Sequence, residues 1–241
     1  MGKVGDKLKA GRGIWDFNNI DHSRFENHIT KSVPGYLEGH NYITFLSDFF
    51  IRGNSRVYDI GCSTGNLISK LSNYNYKKEK VEFIGIEPVA KFKKQFLKNV
   101  NLTKKNTHSF SYINKSIENL KLKECDMINS YYTLQFIKPK FRQIIIDQIY
   151  SKLVWGGGFF FFEKVRGIDA RFHEMINLAY LEYKSKVGYT NDEIFSKMLS
   201  LKGTLEPYTT TENLNFLKRA GFKDITLIYK NLCFEGILAI K

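Results

Sequence analysis

The chain has 241 residues, 43% of them hydrophobic and 15% aromatic, and a formal net charge of +13. That length and composition suit one domain of generous size, or a core domain with added helices, able to bury a large core. No apolar run approaches the ~18 residues that a membrane span requires, and the charged start, Met1 to Lys9, leads into no apolar stretch, so neither an anchor nor a secretory leader is expected. The three cysteines (Cys62, Cys125, Cys233) are far apart and odd in number, and the five histidines (His22, His28, His40, His108, His173) show no metal-ligand spacing. The expectation is a reduced, cytoplasmic protein without a metal.

The first 20 residues are rich in Gly, Lys and Asn with one cluster, Ile14-Trp15-Asp16-Phe17, and read as a tail that packs back by its aromatics. Helical patterns follow at about 21–31 and 37–50, parted by Pro34-Gly35, which fixes Tyr36 near the start of the second. Strands and helices then alternate: strand 56–61, helix 64–73, strand 81–87, helix 90–99, strand 108–114, strand 124–131, helix 140–153 and strand 158–164. Such alternation predicts a parallel sheet covered on both faces. In Gly156-Gly-Gly-Phe-Phe-Phe-Phe162 a turn leads into a strand without period-two alternation, hence buried on both sides. A helical insertion spans about 168–202. Helix 210–220 ends at Gly221, and a hairpin, Ile225–Tyr229 with Phe234–Ile240, closes the chain. The division expected is a tail with cap helices over 1–55 and a ligand-binding domain over 56–241.

The charge excess falls in residues 56–125, which carry 14 basic and 6 acidic groups. Nearly all of it is lysine: 77, 78, 80, 91, 93, 94, 98, 104 and 105. A nucleic-acid groove would mix in arginine and interleave aromatics, so a solvated lysine-rich face is the simpler reading, with attraction for an anionic substrate as the alternative.

The stretch that carries most chemistry is Arg56-Val-Tyr-Asp-Ile-Gly-Cys-Ser-Thr-Gly-Asn-Leu67, followed by a second strand that ends at Glu87. Strand, glycine turn, helix, strand, acid is the nucleoside-binding half of a Rossmann-like unit. Gly61 and Gly65 allow the sharp turn, Asp59 closes the first strand, and Glu87 can accept both ribose hydroxyl protons. The third glycine of the pyrophosphate turn is missing and no Gly-Lys-Ser/Thr loop follows, which points to a nucleoside without phosphate. S-adenosylmethionine (SAM) is the common one.

These residues resemble class I SAM-dependent methyltransferases, with a mostly parallel seven-stranded sheet and an antiparallel C-terminal strand. Within that class the chain looks most like the carboxy-S-adenosylmethionine synthase family, which makes carboxy-SAM from SAM and prephenate for wobble-uridine modification of tRNA. The likeness runs from about Trp15 to the C-terminus through Ser32-Val-Pro-Gly-Tyr36, Tyr58-Asp-Ile-Gly-Cys-Ser63, Thr133-Leu-Gln-Phe136, Glu163-Lys164, Gly188-Tyr189 with Glu193-Ile194, and Ala220-Gly-Phe222. It implies cofactor contacts at Tyr36, Gly61, Cys62, Ser63, Glu87, Ile117 and Tyr131, and a homodimer. It also marks departures: Ser116 stands where an acid would flank the adenine, Tyr131 where an asparagine would stand, and Met198 where an arginine would hold the extra carboxylate.

Methionine offers neither charge nor donor, so this departure predicts a preference for the ordinary methyl sulfonium unless Arg166, Arg171 or Lys197 reaches in. The leading expectation is therefore methyl transfer to a small-molecule hydroxyl, of a sugar or other metabolite, with His40, His173 or Glu163 as base and the insertion as lid. Carboxy-SAM synthesis is the alternative. Asn129-Ser-Tyr-Tyr132 sits where amino-methyltransferases carry Asn-Pro-Pro-Tyr, but without the prolines it does not encode that turn; a nucleic-acid methyltransferase ranks below both, and a non-catalytic SAM binder last. Tyr131 and Tyr132 are expected to wall the pocket.

Overall fold

In the computed structural model, residues 2–6, 8–19, 24–103 and 107–241 are described. His22, the first residues of the helix expected from 21, and the lysines at 104 and 105 lie outside them. A short antiparallel pair, β1 (Gly2–Lys3) and β2 (Lys9–Ala10), precedes helices α1 (Phe25–Ser32) and α2 (Tyr36–Leu46). Then come β3 (Arg56–Ile60), α3 (Asn66–Tyr74), β4 (Glu82–Ile86), α4 (Lys93–Asn101), β5 (Ser109–Ile113), β6 (Cys125–Tyr131), α5 (Pro139–Lys152) and β7 (Leu153–Lys164). Helices α6 (Ala170–Lys186) and α7 (Asn191–Leu201) form the expected insertion, and α8 (Thr210–Ala220), β8 (Asp224–Asn231) and β9 (Phe234–Ile240) finish the chain.

The seven strands stand in the order β5-β4-β3-β6-β7-β9-β8. The first five are mutually parallel, and β9 is antiparallel to both β7 and β8. This is the covered parallel sheet that the alternation predicts, with the antiparallel C-terminal strand that the resemblance implies. Both faces are covered. Phe160 and Phe162 face a core with Tyr36, Ile43, Ile68 and Phe96, whereas Phe159 and Phe161 face Ile145, Ile149, Leu217 and Phe222 of α5, α8 and the turn after it. The four phenylalanines are all buried, as a strand without alternation requires. One boundary differs: β7 starts at Leu153, so the glycines at 156–158 belong to the strand instead of forming a turn before it.

Local signals set the helix ends. Gly221 terminates α8 with φ of 118°, in the left-handed region, and Thr209 with Glu212 forms a capping box at its start. Thr190 and Glu193 repeat that box on α7. At the N-terminus, Trp15 is buried in a third cluster with Val4, Leu8, Phe25 and Phe92, so the tail packs back by its aromatics as a strap over the sheet's carboxyl edge.

Candidate active site

A cavity of about 750 Å³ opens at the carboxyl ends of β3, β4, β6 and β7, beneath the strap and the α6–α7 insertion. This is where a doubly wound sheet gathers ligands, because chain reversals leave a crevice there. The turn after β3 lines it. Gly61 holds φ of 76°, and a Cβ there would overlap the Thr133 side chain. Gly65 also has φ of 76° but lies outside the cavity; a side chain there would strike the Phe96 ring, so its place is a packing one.

The turn is stitched to the end of β4. Gly61 N donates to Ile86 O at 2.8 Å, and Ser63 N donates to Glu87 Oε2 at 3.1 Å. Glu87 Oε1 accepts from Val89 N at 3.0 Å, so two backbone donors orient a carboxylate that still has lone pairs for a ligand. Burial raises the pKa of Glu87, and burial together with Glu87 pushes that of Asp59 up to about 8. Cys62, Ser63, Ser116 and Ile117 line the same end. Although Ser116 is not an acid, its hydroxyl is hydrogen-bonded to Glu118, which also lines the cavity, so a carboxylate is present two residues on. Glu26, from α1, completes the acidic end and accepts from Thr64 Oγ1 at 2.6 Å.

An aromatic wall follows. Tyr131 donates its hydroxyl to Tyr36 O at 2.5 Å, and His40 lies between the two rings at 4.6–4.7 Å from their centroids. Burial drives the His40 pKa down to about 3. Tyr132 lines the cavity with φ of 56° at the strand end. Gln135, within the Thr-Leu-Gln-Phe motif, ties the ends of β6 and β7 together: its Nε2 donates to Tyr132 O at 3.2 Å, and its Oε1 accepts from Lys164 N at 2.7 Å.

The far end is cationic. Lys164, Lys184 and Lys197 line the cavity, and Lys184 and Lys197 are buried. Their amines lie over Tyr180, Tyr189 and Trp15. None has a carboxylate in ion-pair contact among the described residues. Burial lowers all three pKa values, that of Lys184 to about 8.

Besides Gly65, four residues singled out in the sequence stand elsewhere. His173 is exposed on α6, where its Nδ1 accepts from Gly167 N at 3.3 Å. Arg166 is paired with Glu212 at 3.1 Å on the surface, and Arg171 is exposed; neither lines the cavity. Glu163 is buried, but the strand pleat turns it to the α5 face, where Arg142 is its charged neighbour and burial pushes its pKa to about 8. Met198 does line the cavity, half exposed. Glu26, Glu118, Lys164 and Lys184 were not recognised from sequence, and Lys197 only as a conditional substitute.

Comparison with known proteins supplies the context. No family model matches the chain. The carboxy-S-adenosyl-L-methionine synthase of Staphylococcus epidermidis is 35% identical over 228 residues, covering 94% of this chain and 97% of that protein. The enzyme of the same name from Campylobacter lari is 31% identical, covering 91% of each. The chain belongs to the carboxy-S-adenosyl-L-methionine synthase family. Solved structures agree on the fold of this synthase-family member. Human N-acetylserotonin methyltransferase, in complex with SAM, aligns with a TM-score of 0.58 at 18% identity over 86% of this chain and 52% of its own. A SAM-dependent methyltransferase of Methanosarcina mazei gives 0.58 at 15% identity over 82% and 96%. The family identifies an enzyme that uses SAM, and Glu87, Asp59 and Glu26 are the carboxylates that line the acidic end of this cavity.

Proposed function

We propose that this enzyme makes carboxy-SAM from SAM and prephenate. The observation that carries the reading is a cavity with an acidic end for a cationic nucleoside and a three-amine end in which, among the described residues, no amine is ion-paired to a carboxylate. A dianionic acid is the complement of the second end. The methyl-transfer expectation rested on Met198 and on a protein base, and both supports are weak here. Lys164, Lys184 and Lys197 supply N–H donors in place of the arginine, and a bound anion would favour the charged forms that burial disfavours. Of the expected bases, His173 and Glu163 lie outside the cavity, and a His40 imidazole with a pKa near 3 is a poor proton acceptor.

Carboxylation needs no such base. Prephenate aromatises by losing its ring carboxylate as CO2 and its hydroxyl as hydroxide. The hydroxide removes a proton from the sulfonium methyl and leaves as water. The methyl carbon, carrying the electron pair freed from its C–H bond, adds to CO2, giving the carboxymethyl sulfonium and phenylpyruvate. The protein's part is to hold both substrates with reacting atoms adjacent and exclude bulk water. Incubation with SAM and prephenate, read by mass spectrometry, is expected to yield carboxy-SAM and phenylpyruvate in equal amounts. Methyl transfer without carboxy-SAM would sink the reading.

A homodimer and a cytoplasmic setting belong to the same proposal. The first is supported by an apolar stripe, Ile168, Phe172, Met175 and Leu178, exposed at and along one face of α6; the second by three separate, buried free thiols.

A further inference from the structure

Lys197 is held in an unusual way for a buried ammonium. Its Nζ lies 3.1 Å from His28 Nε2 and 2.8 Å from the centroid of the Trp15 ring. On the other side of the imidazole, His28 Nδ1 lies 2.9 Å from Asp6 Oδ2, which also accepts from the Tyr189 hydroxyl at 2.8 Å. Lys31 Nζ reaches Asp6 Oδ1 at 3.2 Å. An ionised carboxylate only accepts, so the tautomer is fixed: Nδ1–H donates to Asp6, and the Nε2 lone pair is left to accept an N–H of the Lys197 amine. The depressed pKa of His28, about 4, through burial and Lys197, agrees with a neutral ring.

This arrangement positions an amine whose charged form burial disfavours and a bound anion would restore, without giving it a carboxylate of its own. A carboxylate in direct contact would neutralise Lys197 and compete with any anionic ligand. A neutral imidazole instead fixes the amine and keeps Asp6 one ring away. Lys184, whose charge also lowers the pKa of Lys197, adds to the field. We infer that Lys197 is the residue of this chain that receives the carboxylate, in the role for which Met198 is unsuited, and that Asp6 and His28 are its positioning residues. The inference rests on the carboxylation reading above. It also makes the strap part of the site, because Asp6 and Trp15 both belong to it while His28 lies on α1 and Lys197 on α7.

The test is a competition of carboxy-SAM against SAM on the full chain, followed by calorimetry and independent of turnover. Wild type is expected to prefer carboxy-SAM. Lys197→Gln should lose about 10- to 100-fold of that preference, with SAM affinity changed by no more than about threefold, and Lys197→Arg should restore it. His28→Phe should lose preference as Lys197→Gln does, and His28→Gln, which keeps an acceptor facing the amine, should recover part of it. If His28→Phe does not fold, the two Lys197 variants decide. Unchanged preference in Lys197→Gln overturns the inference, as does a wild type without preference. Turnover separates the two claims. No carboxy-SAM from the wild type overturns the carboxylation reading, whereas Lys197→Gln turnover with an unaltered prephenate KM leaves that reading standing and removes Lys197 from it.

Discussion

Glu87 is the residue whose role depends least on anything distant. Its carboxylate is oriented by Ser63 N and Val89 N, at the end of a strand whose position the alternation alone predicted. Glu87→Ala removes a two-pronged acceptor and leaves those donors bare, so SAM affinity should fall by ~1–3 kcal/mol, about 5- to 150-fold in a calorimetric titration. Glu163 offers a separate test. Its pKa is near 8 in the fold, against 4.5 for the free side chain, so the folded state keeps a proton that the unfolded chain loses. That contribution to stability is complete below about pH 4.5 and is lost as pH rises towards 8. Glu163→Gln should therefore gain on the wild type by about 1.4 kcal/mol per pH unit within that window, in denaturant titrations at several pH values. The sequence placed Glu163 at the ligand edge of the sheet because a strand buried on both faces hides its pleat parity. Lys197 was harder to read for the opposite reason. A lysine on a helix looks solvated, and its burial comes from Trp15, some 180 residues earlier in the chain.

Elements were more legible than individual roles. Gly221, the Pro34-Gly35 break and the Gly61 turn are local devices, and the helices and strands they bound fall where the sequence put them within a few residues. The short β1–β2 pair was not foreseen, since two-residue strands leave no periodicity to detect. The Thr133-Leu-Gln-Phe136 segment was noticed as a family mark, but its mechanical meaning needed coordinates. Gln135 joins the carboxyl ends of β6 and β7, one carrying Tyr132 and the other Lys164. Gln135→Ala would leave Tyr132 O and Lys164 N without that partner, at a cost of ~1–3 kcal/mol, visible as a lowered melting temperature. Because both strand ends line the cavity, prephenate KM should rise with it while the Glu87 end keeps its SAM affinity.

At the scale of the whole molecule, the α6 stripe gives the proposed homodimer a checkable surface. Met175→Asp places a charge amid Phe172 and Leu178, and light scattering should then report the monomer mass where the wild type gives twice that. The strand order has a different consequence, in biosynthesis. β9 lies between β7 and β8 although it is the last strand made, and three helices and β8 must leave the ribosome before it. Until then the four phenylalanines of β7 sit beside an open edge, with unpaired backbone groups and apolar side chains on both faces. Such a nascent edge is what chaperones hold and what aggregates recruit. Slow translation of the last stretch should thus cost yield of soluble enzyme far more than slow translation of the nucleoside-binding half.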